Sequence, residues 1–295
     1  MLRESLTVFS IKMKLNLQDN GFKNVGLLIK PSKAKKLKDK IDYFFKNNLN
    51  LGPAINIKNL AKSQMVLNGE SREKFDKEKI YLNKLDFKKG TKFIRKMTNG
   101  VSIKQPILNL PELINICTDL KVVSTVQKYF QTKNLYIGYV KVRRFFKNRL
   151  PEFDTNFFHY DDNGKNLVKL VLYLNNIDTK NDGPFVYVIN SKTNKPKIKQ
   201  NKINKYMIPE KEVSKFYGKK LVKEAYGAAG TGFLADTIGF HKGVKNTSKD
   251  RYVVYINYVT TREYKGKGEN LKISSRHLKL LKKNQQKLFK FFEVI

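Results

Sequence analysis

The stretch FHYDDNGKNLVKLVLYLNNIDTKNDGPFVYVIN, residues 158–190, decides the fold prediction because it combines short β-rich runs with turn signals. Its two apolar runs, LVKLVLYL and PFVYVIN, are separated by Asn-Asp-Gly, a combination typical of a tight turn. His159 and Asp161 precede the first run. In an extended strand, side chains two residues apart point the same way. The pair would therefore offer a nitrogen and an oxygen ligand to one point.

Further short β-rich runs lie on both sides of this stretch. They read LYIGYVKV (135–142), TGFLAD (231–236) and RYVVYINYV (251–259). Many short strands that follow a helix-rich first half are typical of a sandwich or jelly roll with added helices. The sequence therefore predicts a mainly β fold in which helices are secondary.

Three segments outside these runs have the periodicity of amphipathic helices. In residues 31–47 the apolar positions at helical spacing are Leu37, Ile41, Phe44 and Phe45. In residues 110–130 one apolar stripe is formed by Leu113, Ile116, Leu120, Val123 and Phe130. In the basic tail the apolar face is formed by Leu278, Leu281, Leu288 and Phe292. We expect the first two helices to support the β core and the third to close it.

The composition is strongly basic, with 60 Lys and Arg against 25 Asp and Glu and a formal net charge of +35. One interpretation is an anionic partner, such as nucleic acid, a phosphorylated or CoA-linked substrate, or a membrane surface. The other is coding bias, because lysine and asparagine are abundant throughout and accompany no zinc-finger or RNP-type motif. The second interpretation is preferred. The expected partner is a small-molecule substrate, and the abundant lysine in residues 143–158 and 191–226 favours an anionic one. Nucleic acid remains an alternative.

Several features bear on location. The longest apolar runs, such as LVLYL at 170–174, are too short to cross a bilayer, so no membrane insertion is expected. The first residues, MLRESLTVFSIKMKL, lack the apolar core and cleavage site of a secretory signal. The single cysteine, Cys117, cannot form an internal disulfide. These features favour a cytoplasmic protein.

A second group of candidate ligands lies in GTGFLADTIGFHKGVKNTSKDRYVVYINY, residues 230–258. His241 follows a predicted strand and turn, and Arg251 opens the next strand ten residues later. Two histidines and one carboxylate form a facial triad that leaves positions open on Fe(II) for a chelating co-substrate and O₂. Zinc accepts the same ligands, but no nearby acid or base is placed for hydrolysis. Solvated surface residues without chemistry are the alternative.

The two blocks, in this order and spacing, resemble the phytanoyl-CoA dioxygenase group of Fe(II)/2-oxoglutarate-dependent oxygenases. The likeness covers residues 107–262 and is densest in two segments. Residues 158–195 are similar to the family's His-x-Asp strand, its partner strand and a Gly-Pro turn. Residues 227–243, with Arg251, are similar to the distal-histidine segment and the 2-oxoglutarate arginine. LQDNGFKNVGLL (17–28) is similar to the family's opening helix end and strand.

The resemblance implies that His159, Asp161 and His241 bind iron and that Arg251 binds the distal carboxylate of 2-oxoglutarate. It implies that O₂ and 2-oxoglutarate are co-substrates, with succinate and CO₂ as products. Related halogenases carry a small residue at the acidic position, so the carboxylate of Asp161 indicates hydroxylation of an organic substrate.

The second anchor for 2-oxoglutarate is less evident from the sequence. Gly243 stands where several relatives have a serine that touches this co-substrate. Lys169 and Tyr173 are candidates because they lie on the strand after the His-x-Asp pair and share one face. A second departure is the segment INSKTNK (189–195), which lacks the family's usual Gly-Ser-His.

These observations predict a double-stranded β-helix core of the jelly-roll, cupin-like type. A single domain is expected over residues 1–295, since no repeat or Pro/Gly/Ser-rich linker divides it. Its expected parts are a helix-rich segment 14–134, the jelly-roll core 135–262 and a helical tail 263–295. The expected activity is that of a 2-oxoglutarate-dependent non-haem iron dioxygenase. A non-catalytic jelly-roll binding protein and a basic oxygenase associated with nucleic acid are the alternatives.

Overall fold

The computed structural model describes residues 15–52, 54–57, 81–82, 84–147, 150, 152, 154–161, 166–193, 208–261 and 271–295. Its strands are β1 Phe22–Leu27, β2 Gly100–Ser102, β3 Tyr136–Phe145, β4 Leu167–Tyr173, β5 Phe185–Val188, β6 Val222–Ala225, β7 Thr231–Asp236, β8 His241–Gly243, β9 Arg251–Val259, β10 Lys272–Ile273 and β11 Glu293–Val294. The predicted runs 167–174, 231–236 and 251–259 thus contain strands β4, β7 and β9.

Two antiparallel sheets form the centre of the protein. The larger sheet has six strands in the order β1-β7-β4-β9-β3-β2, and the smaller sheet has the order β6-β5-β8. Phe185 and Tyr187 of the small sheet pack with Tyr173, Phe233 and Val253 of the large sheet. We call the side of the large sheet that carries these residues its inner face. The arrangement is the predicted jelly roll with added helices.

The large sheet draws its two edge strands from the helix-rich first half of the chain. β1 pairs with β7 and β2 pairs with β3, both antiparallel. Gly21, with a φ of 68°, turns the chain from the helix Leu17–Asn20 into β1. Residues 17–28 therefore form the helix end and strand that the resemblance implied.

The outer face of the large sheet is covered by helices. Helix Pro31–Lys46 forms where the periodicity predicted it, and its buried residues are Ala34, Leu37, Ile41 and Phe45. Other described helices are Leu17–Asn20, Lys84–Lys88, Thr91–Met97, Pro106–Asn109, Ser275–Lys279 and Lys283–Gln286, whereas helix Glu210–Tyr217 packs against the small sheet. Because both faces of the sheet are covered, β4 and β9 are near-continuous apolar runs with few polar interruptions.

The single helix predicted over residues 110–130 is wrong. The chain forms two helices, Leu113–Cys117 and Leu120–Phe130. Asp119 caps the second helix, since its carboxylate accepts a hydrogen bond from the backbone N–H of Val122 at 3.0 Å. The break changes which face is buried, and Leu120, expected in the apolar stripe, is 70% exposed.

A cluster of charges joins the helices to the outer face of the sheet. The carboxylate of Asp250 accepts hydrogen bonds from Arg95 at 3.0 and 2.5 Å, from Arg144 at 2.9 Å and from the backbone N–H of Lys147 at 2.9 Å. Arg144 also lies 3.0 Å from Asp42 of helix Pro31–Lys46. Burial raises the pKa of Asp250, but these donors outweigh it and hold the pKa below its ordinary value.

The continuous closing helix predicted in the tail is wrong in form. Ser275–Lys279 and Lys283–Gln286 are separate short helices, followed by a 3₁₀ turn Lys287–Phe289. Leu288 and Phe292 are nevertheless buried in the cluster under the outer face of the large sheet, and Leu278 and Leu281 pack against it. The predicted apolar face of the tail was therefore correct. No described helix is long and apolar enough to cross a bilayer.

Candidate metal centre

A short antiparallel bridge brings His159 and His241 together although they lie 82 positions apart in the sequence. The backbone N–H of His159 donates to the carbonyl of His241 at 3.0 Å, and the reverse hydrogen bond measures 2.9 Å. Strand β8 also pairs with β5, so the small sheet fixes the position of His241. The two imidazole centroids lie 4.3 Å apart. The predicted convergence of the two histidines is therefore present.

The backbone orients both imidazoles in the same way. Nδ1 of His159 lies 2.9 Å from the carbonyl of Phe157, and Nδ1 of His241 lies 3.0 Å from the carbonyl of Gly239. When Nδ1 donates to a carbonyl, Nε2 carries the lone pair that can bind a metal. Nε2 of His241 is buried and has no hydrogen-bond partner among the described residues. A buried imidazole nitrogen without a hydrogen-bond partner is expected where that nitrogen binds a metal.

Asp161 completes the group. Its backbone N–H donates to the carbonyl of Thr237 at 2.7 Å, and its Oδ2 lies 3.9 Å from Nε2 of His241. One donor atom from each of His159, Asp161 and His241 can be chosen so that all three lie within 4.8 Å of one another. These residues fit a divalent metal bound by two imidazole nitrogens and one carboxylate oxygen. The adjacent Asp162, which the alternation of side chains along a strand predicts to point to the opposite face, lies outside the described residues.

The charge states also suit a metal ligand set. Burial lowers the pKa of His241 far below its ordinary value, and the neighbouring His159 lowers it further, so the imidazole is neutral. Burial alone would raise the pKa of Asp161, but Lys169 and the two histidines outweigh burial and hold the pKa below its ordinary value. A neutral imidazole and an ionised carboxylate are the forms that bind metals.

The turn between β7 and β8 positions two of the ligands, and sequence reasoning missed the residue that holds it. Asp236 is fully buried and accepts hydrogen bonds from Tyr129 Oη at 2.6 Å and from the backbone N–H of Ile238 at 3.1 Å. Lys192 Nζ lies 2.7 Å from the same carboxylate. In this turn the carbonyl of Thr237 binds the backbone N–H of Asp161, and the carbonyl of Gly239 lies beside Nδ1 of His241. An acid that ends the apolar run TGFLAD was the available signal.

Arg251 lies on the inner face and is 2% exposed. One nitrogen, Nη1, donates to the carbonyls of Gly183 and Val244, the latter at 3.2 Å. Its Nε is buried without a hydrogen-bond partner among the described residues. Burial lowers the pKa of Arg251 below its ordinary value, and the nearby charge of Arg143 adds to this. The guanidinium thus has an unsatisfied edge that an anion can bind.

Two glycines make room for this guanidinium. At Gly183, where φ is 78°, a Cβ would lie 3.1 Å from Arg251 Nη1 and 2.7 Å from the carbonyl of Val244. At Gly243 a Cβ would lie 3.1 Å from Nη2. Gly243 is two residues beyond His241 on β8, a step of about 6–7 Å along a strand. The Arg251 guanidinium therefore lies near His241, at a separation comparable to the length of a small dicarboxylate.

The two candidates for a second co-substrate anchor differ in their contacts. Lys169 Nζ donates to Oδ2 of Asp161 at 2.6 Å, so it contacts a metal ligand directly. Tyr173 is fully buried, and its hydroxyl donates to the carbonyl of Ala225 and accepts from the N–H of Phe185, both at 2.8 Å. Lys169 thus orients the carboxylate, whereas Tyr173 joins the large sheet to the small one.

Comparison with known proteins identifies the fold. No protein-family model matches the chain, and no curated protein matches it. Among solved structures, it is similar to SnoN, a non-heme alpha-ketoglutarate-dependent epimerase from nogalamycin biosynthesis, with a TM-score of 0.55 and 9% identity over 87% of this chain and 89% of SnoN. The non-heme alpha-ketoglutarate-dependent carbocyclase SnoK gives a TM-score of 0.51 and 12% identity over 82% and 80% of the two chains.

A further structure of SnoN, in complex with Fe³⁺, alpha-ketoglutarate and nogalamycin RO, gives a TM-score of 0.52 and 10% identity over 87% and 90% of the chains. At such identities the likeness shows the fold alone. The chain therefore has the jelly-roll, cupin-like fold of these enzymes, as the sequence predicted.

Proposed function

We propose that this protein is an Fe(II)- and 2-oxoglutarate-dependent dioxygenase that hydroxylates a small organic substrate and releases succinate and CO₂. The observation that carries the proposal is the convergence of His159, Asp161 and His241, with Nε2 of His241 buried and unpartnered among the described residues. Two histidines and one carboxylate with open positions are the donor set of non-haem Fe(II) oxygenases. The fold shared with SnoN and SnoK supports the same class.

Each residue of the centre has a separate task. His159, Asp161 and His241 hold the metal, and the carbonyls that bind the two Nδ1 atoms keep both Nε2 lone pairs directed inward. Lys169 binds one oxygen of Asp161 and limits rotation of that carboxylate. Fe(II), when bound, supplies the open positions at which a chelating co-substrate and O₂ meet.

Arg251 gives the co-substrate its second point of attachment. A guanidinium binds a carboxylate through two parallel hydrogen bonds. The Nε atom of Arg251 is unsatisfied within the described part of the chain, while Gly183 and Val244 fix the opposite edge of the fork. A 2-oxoglutarate that chelates the metal at one end would place its distal carboxylate at this edge. The hydroxyl of Tyr173 is already used by backbone groups, so we assign it no part in this binding.

The finer assignments rest on the motifs. Residues 158–195, and residues 227–243 with Arg251, support membership of the phytanoyl-CoA dioxygenase family. The carboxylate of Asp161 supports hydroxylation rather than halogenation. The buried single thiol of Cys117 is consistent with a reducing cytoplasm. SnoN and SnoK are named as an epimerase and a carbocyclase, so the product must be identified by its mass, with one oxygen atom gained for hydroxylation.

Anaerobic addition of Fe(II) and then 2-oxoglutarate tests the proposal. Chelation of the metal by the co-substrate produces a visible charge-transfer absorption, which we expect in the wild-type protein. Asp161→Ala should lose this band and, after admission of air, succinate formation. Asp178→Ala is the matched control, since Asp178 is an exposed acid in the loop after β4.

Three outcomes decide between the possibilities. A band that persists in a folded Asp161→Ala variant would mean that the ligand set is wrong. A folded wild-type protein without the band would favour the non-catalytic jelly roll. Binding of nucleic acid that weakens steeply with added salt would favour the oxygenase associated with nucleic acid.

A further inference from the structure

The inner face of the large sheet carries an open patch beside the metal centre. Most side chains of this face are buried between the two sheets. A small group is only half-buried and polar, and we call it the open patch: Tyr139, Lys141, Arg143, Lys169 and Tyr255. Lys169 links the patch to the metal centre through its contact with Asp161. A molecule that approaches the metal therefore meets these side chains.

The alternation of β3 places Lys141 and Arg143 on the inner face. Val140 and Val142 pack under the helices on the outer face of the large sheet, whereas Phe145 packs between the two sheets. Side chains two residues apart share a face, so Arg143 and Lys141 lie on the same side as Phe145. The register agrees, because Lys141 stands opposite Tyr255 on β9 and Arg143 stands opposite Val253.

Arg143 and Arg251 bring two positive charges to one aromatic ring. Each guanidinium carbon lies 4.3 Å from the centroid of Phe145. Nε of Arg143, like Nε of Arg251, is buried without a hydrogen-bond partner among the described residues. No salt bridge in the described part of the chain joins either arginine to an acid, whereas the next residue, Arg144, pairs with two.

Two cations this close repel each other and favour the binding of anions. The proposed function assigns the carboxylate of 2-oxoglutarate to Arg251, which is 2% exposed. Arg143 is half-buried, belongs to the open patch and lies two residues from Phe145 along β3, on the same face as Lys141. A second anion that enters after the co-substrate can reach Arg143 but not the enclosed Arg251.

We propose that Arg143 binds a carboxylate or phosphate group of the substrate, which is therefore a small organic anion. The inference rests on the proposed function and names its substrate class. Lys141 Nζ lies 5.8 Å from the ring centroid of Tyr139, and Tyr255 stands opposite Lys141, so both rings lie in the open patch and can contact the organic part of the molecule. Arg143 would then discriminate against neutral analogues, because they lack the negative charge that the guanidinium binds.

Matched pairs of an anionic compound and its neutral analogue test this inference. The probes are hexanoate with hexanamide, 3-phenylpropionate with 3-phenylpropionamide, and hexyl phosphate with hexanol. Binding is measured by calorimetry on the protein saturated with 2-oxoglutarate and Fe(II) under anaerobic conditions. We expect at least one acid to bind wild-type protein about tenfold more tightly than its neutral partner. The phosphate and carboxylate pairs show which anion is preferred.

Variants assign the preference to Arg143. Arg143→Gln should remove the preference for the acid and change 2-oxoglutarate affinity much less, and Arg143→Lys should retain part of the preference because the charge remains. Lys36→Gln removes one exposed charge on an outer helix and should behave as wild type. Circular dichroism establishes that each variant is folded.

Two results would overturn the inference. One is an equal affinity of wild-type protein for acids and neutral partners. The other is a loss of 2-oxoglutarate affinity in Arg143→Gln as large as the loss of acid affinity, which would assign Arg143 to the co-substrate. Calorimetry with the acids does not depend on the charge-transfer band. Absence of that band contradicts the proposed function, whereas absence of the acid preference contradicts only the present inference.

Discussion

Arg251→Gln tests how the centre holds its co-substrate. In the wild-type protein, Nη1 of Arg251 is bound by the carbonyls of Gly183 and Val244, and Nε has no partner among the described residues. Glutamine keeps an amide donor but loses the charge and the planar fork that pairs with a carboxylate. We therefore expect 2-oxoglutarate to bind more weakly while it still chelates the metal.

The burial of Arg251 sets the size of the effect. The side chain is 2% exposed, so a hydrogen bond from Nε to the co-substrate would form away from bulk water. A hydrogen bond to a charged group contributes about 1.5–3 kcal/mol. Since 1.4 kcal/mol corresponds to a tenfold change, the Kd of 2-oxoglutarate should rise by about 10- to 150-fold. Loss of Nη1 also leaves two carbonyls without their donor, so some loss of stability is expected.

Anaerobic titration of the Fe(II)-loaded protein with 2-oxoglutarate, followed by the charge-transfer band, measures this change. Arg144→Gln is the matched control, because Arg144 lies on β3, pairs with Asp42 and Asp250, and faces the outer side of the sheet. It should reduce thermal stability and leave the Kd unchanged. A folded Arg251→Gln protein with wild-type affinity would refute the assignment of Arg251 to the co-substrate.

Two further predictions concern stability. Tyr173→Phe should lower the free energy of unfolding by about 1–3 kcal/mol, because the buried N–H of Phe185 and the buried carbonyl of Ala225 lose their hydrogen-bond partner. Denaturant unfolding measures this free energy. An unchanged value would contradict the structural role of Tyr173. The pKa of Asp250 is lower when the protein is folded, so its stabilisation is complete above the ordinary carboxyl pKa and is lost as the pH falls below it. Asp250→Asn should therefore flatten the acid side of the stability curve, and an unaltered pH dependence in thermal unfolding would argue against this ion cluster.

Much of the fold could be predicted from the sequence because local periodicity reports which side chains are buried. β7 and β9 have the bounds of the runs 231–236 and 251–259, and helix Pro31–Lys46 buries the expected face. The break before Leu120 could not be found in the same way. Its cause is the cap formed by Asp119, and the apolar stripe continued through it by coincidence.

The sequence by itself determined the residue types of the centre: a histidine and an acid two residues apart, a distant histidine and an arginine at the start of an apolar strand. Spacing assigned them to faces of strands, since side-chain direction alternates along a strand. Their resemblance to a known family supplied the pairing of the two segments.

Only the tertiary structure decided which groups meet. The bridge between His159 and His241, the contact of Lys169 with Asp161 and the shared ring under Arg143 and Arg251 all depend on strand register and sheet packing. Periodicity states which face a side chain occupies but not what lies opposite, because partners far apart in sequence are set by long-range pairing. For this reason Lys169 and Tyr173 looked equivalent in the sequence and have different partners in the folded protein.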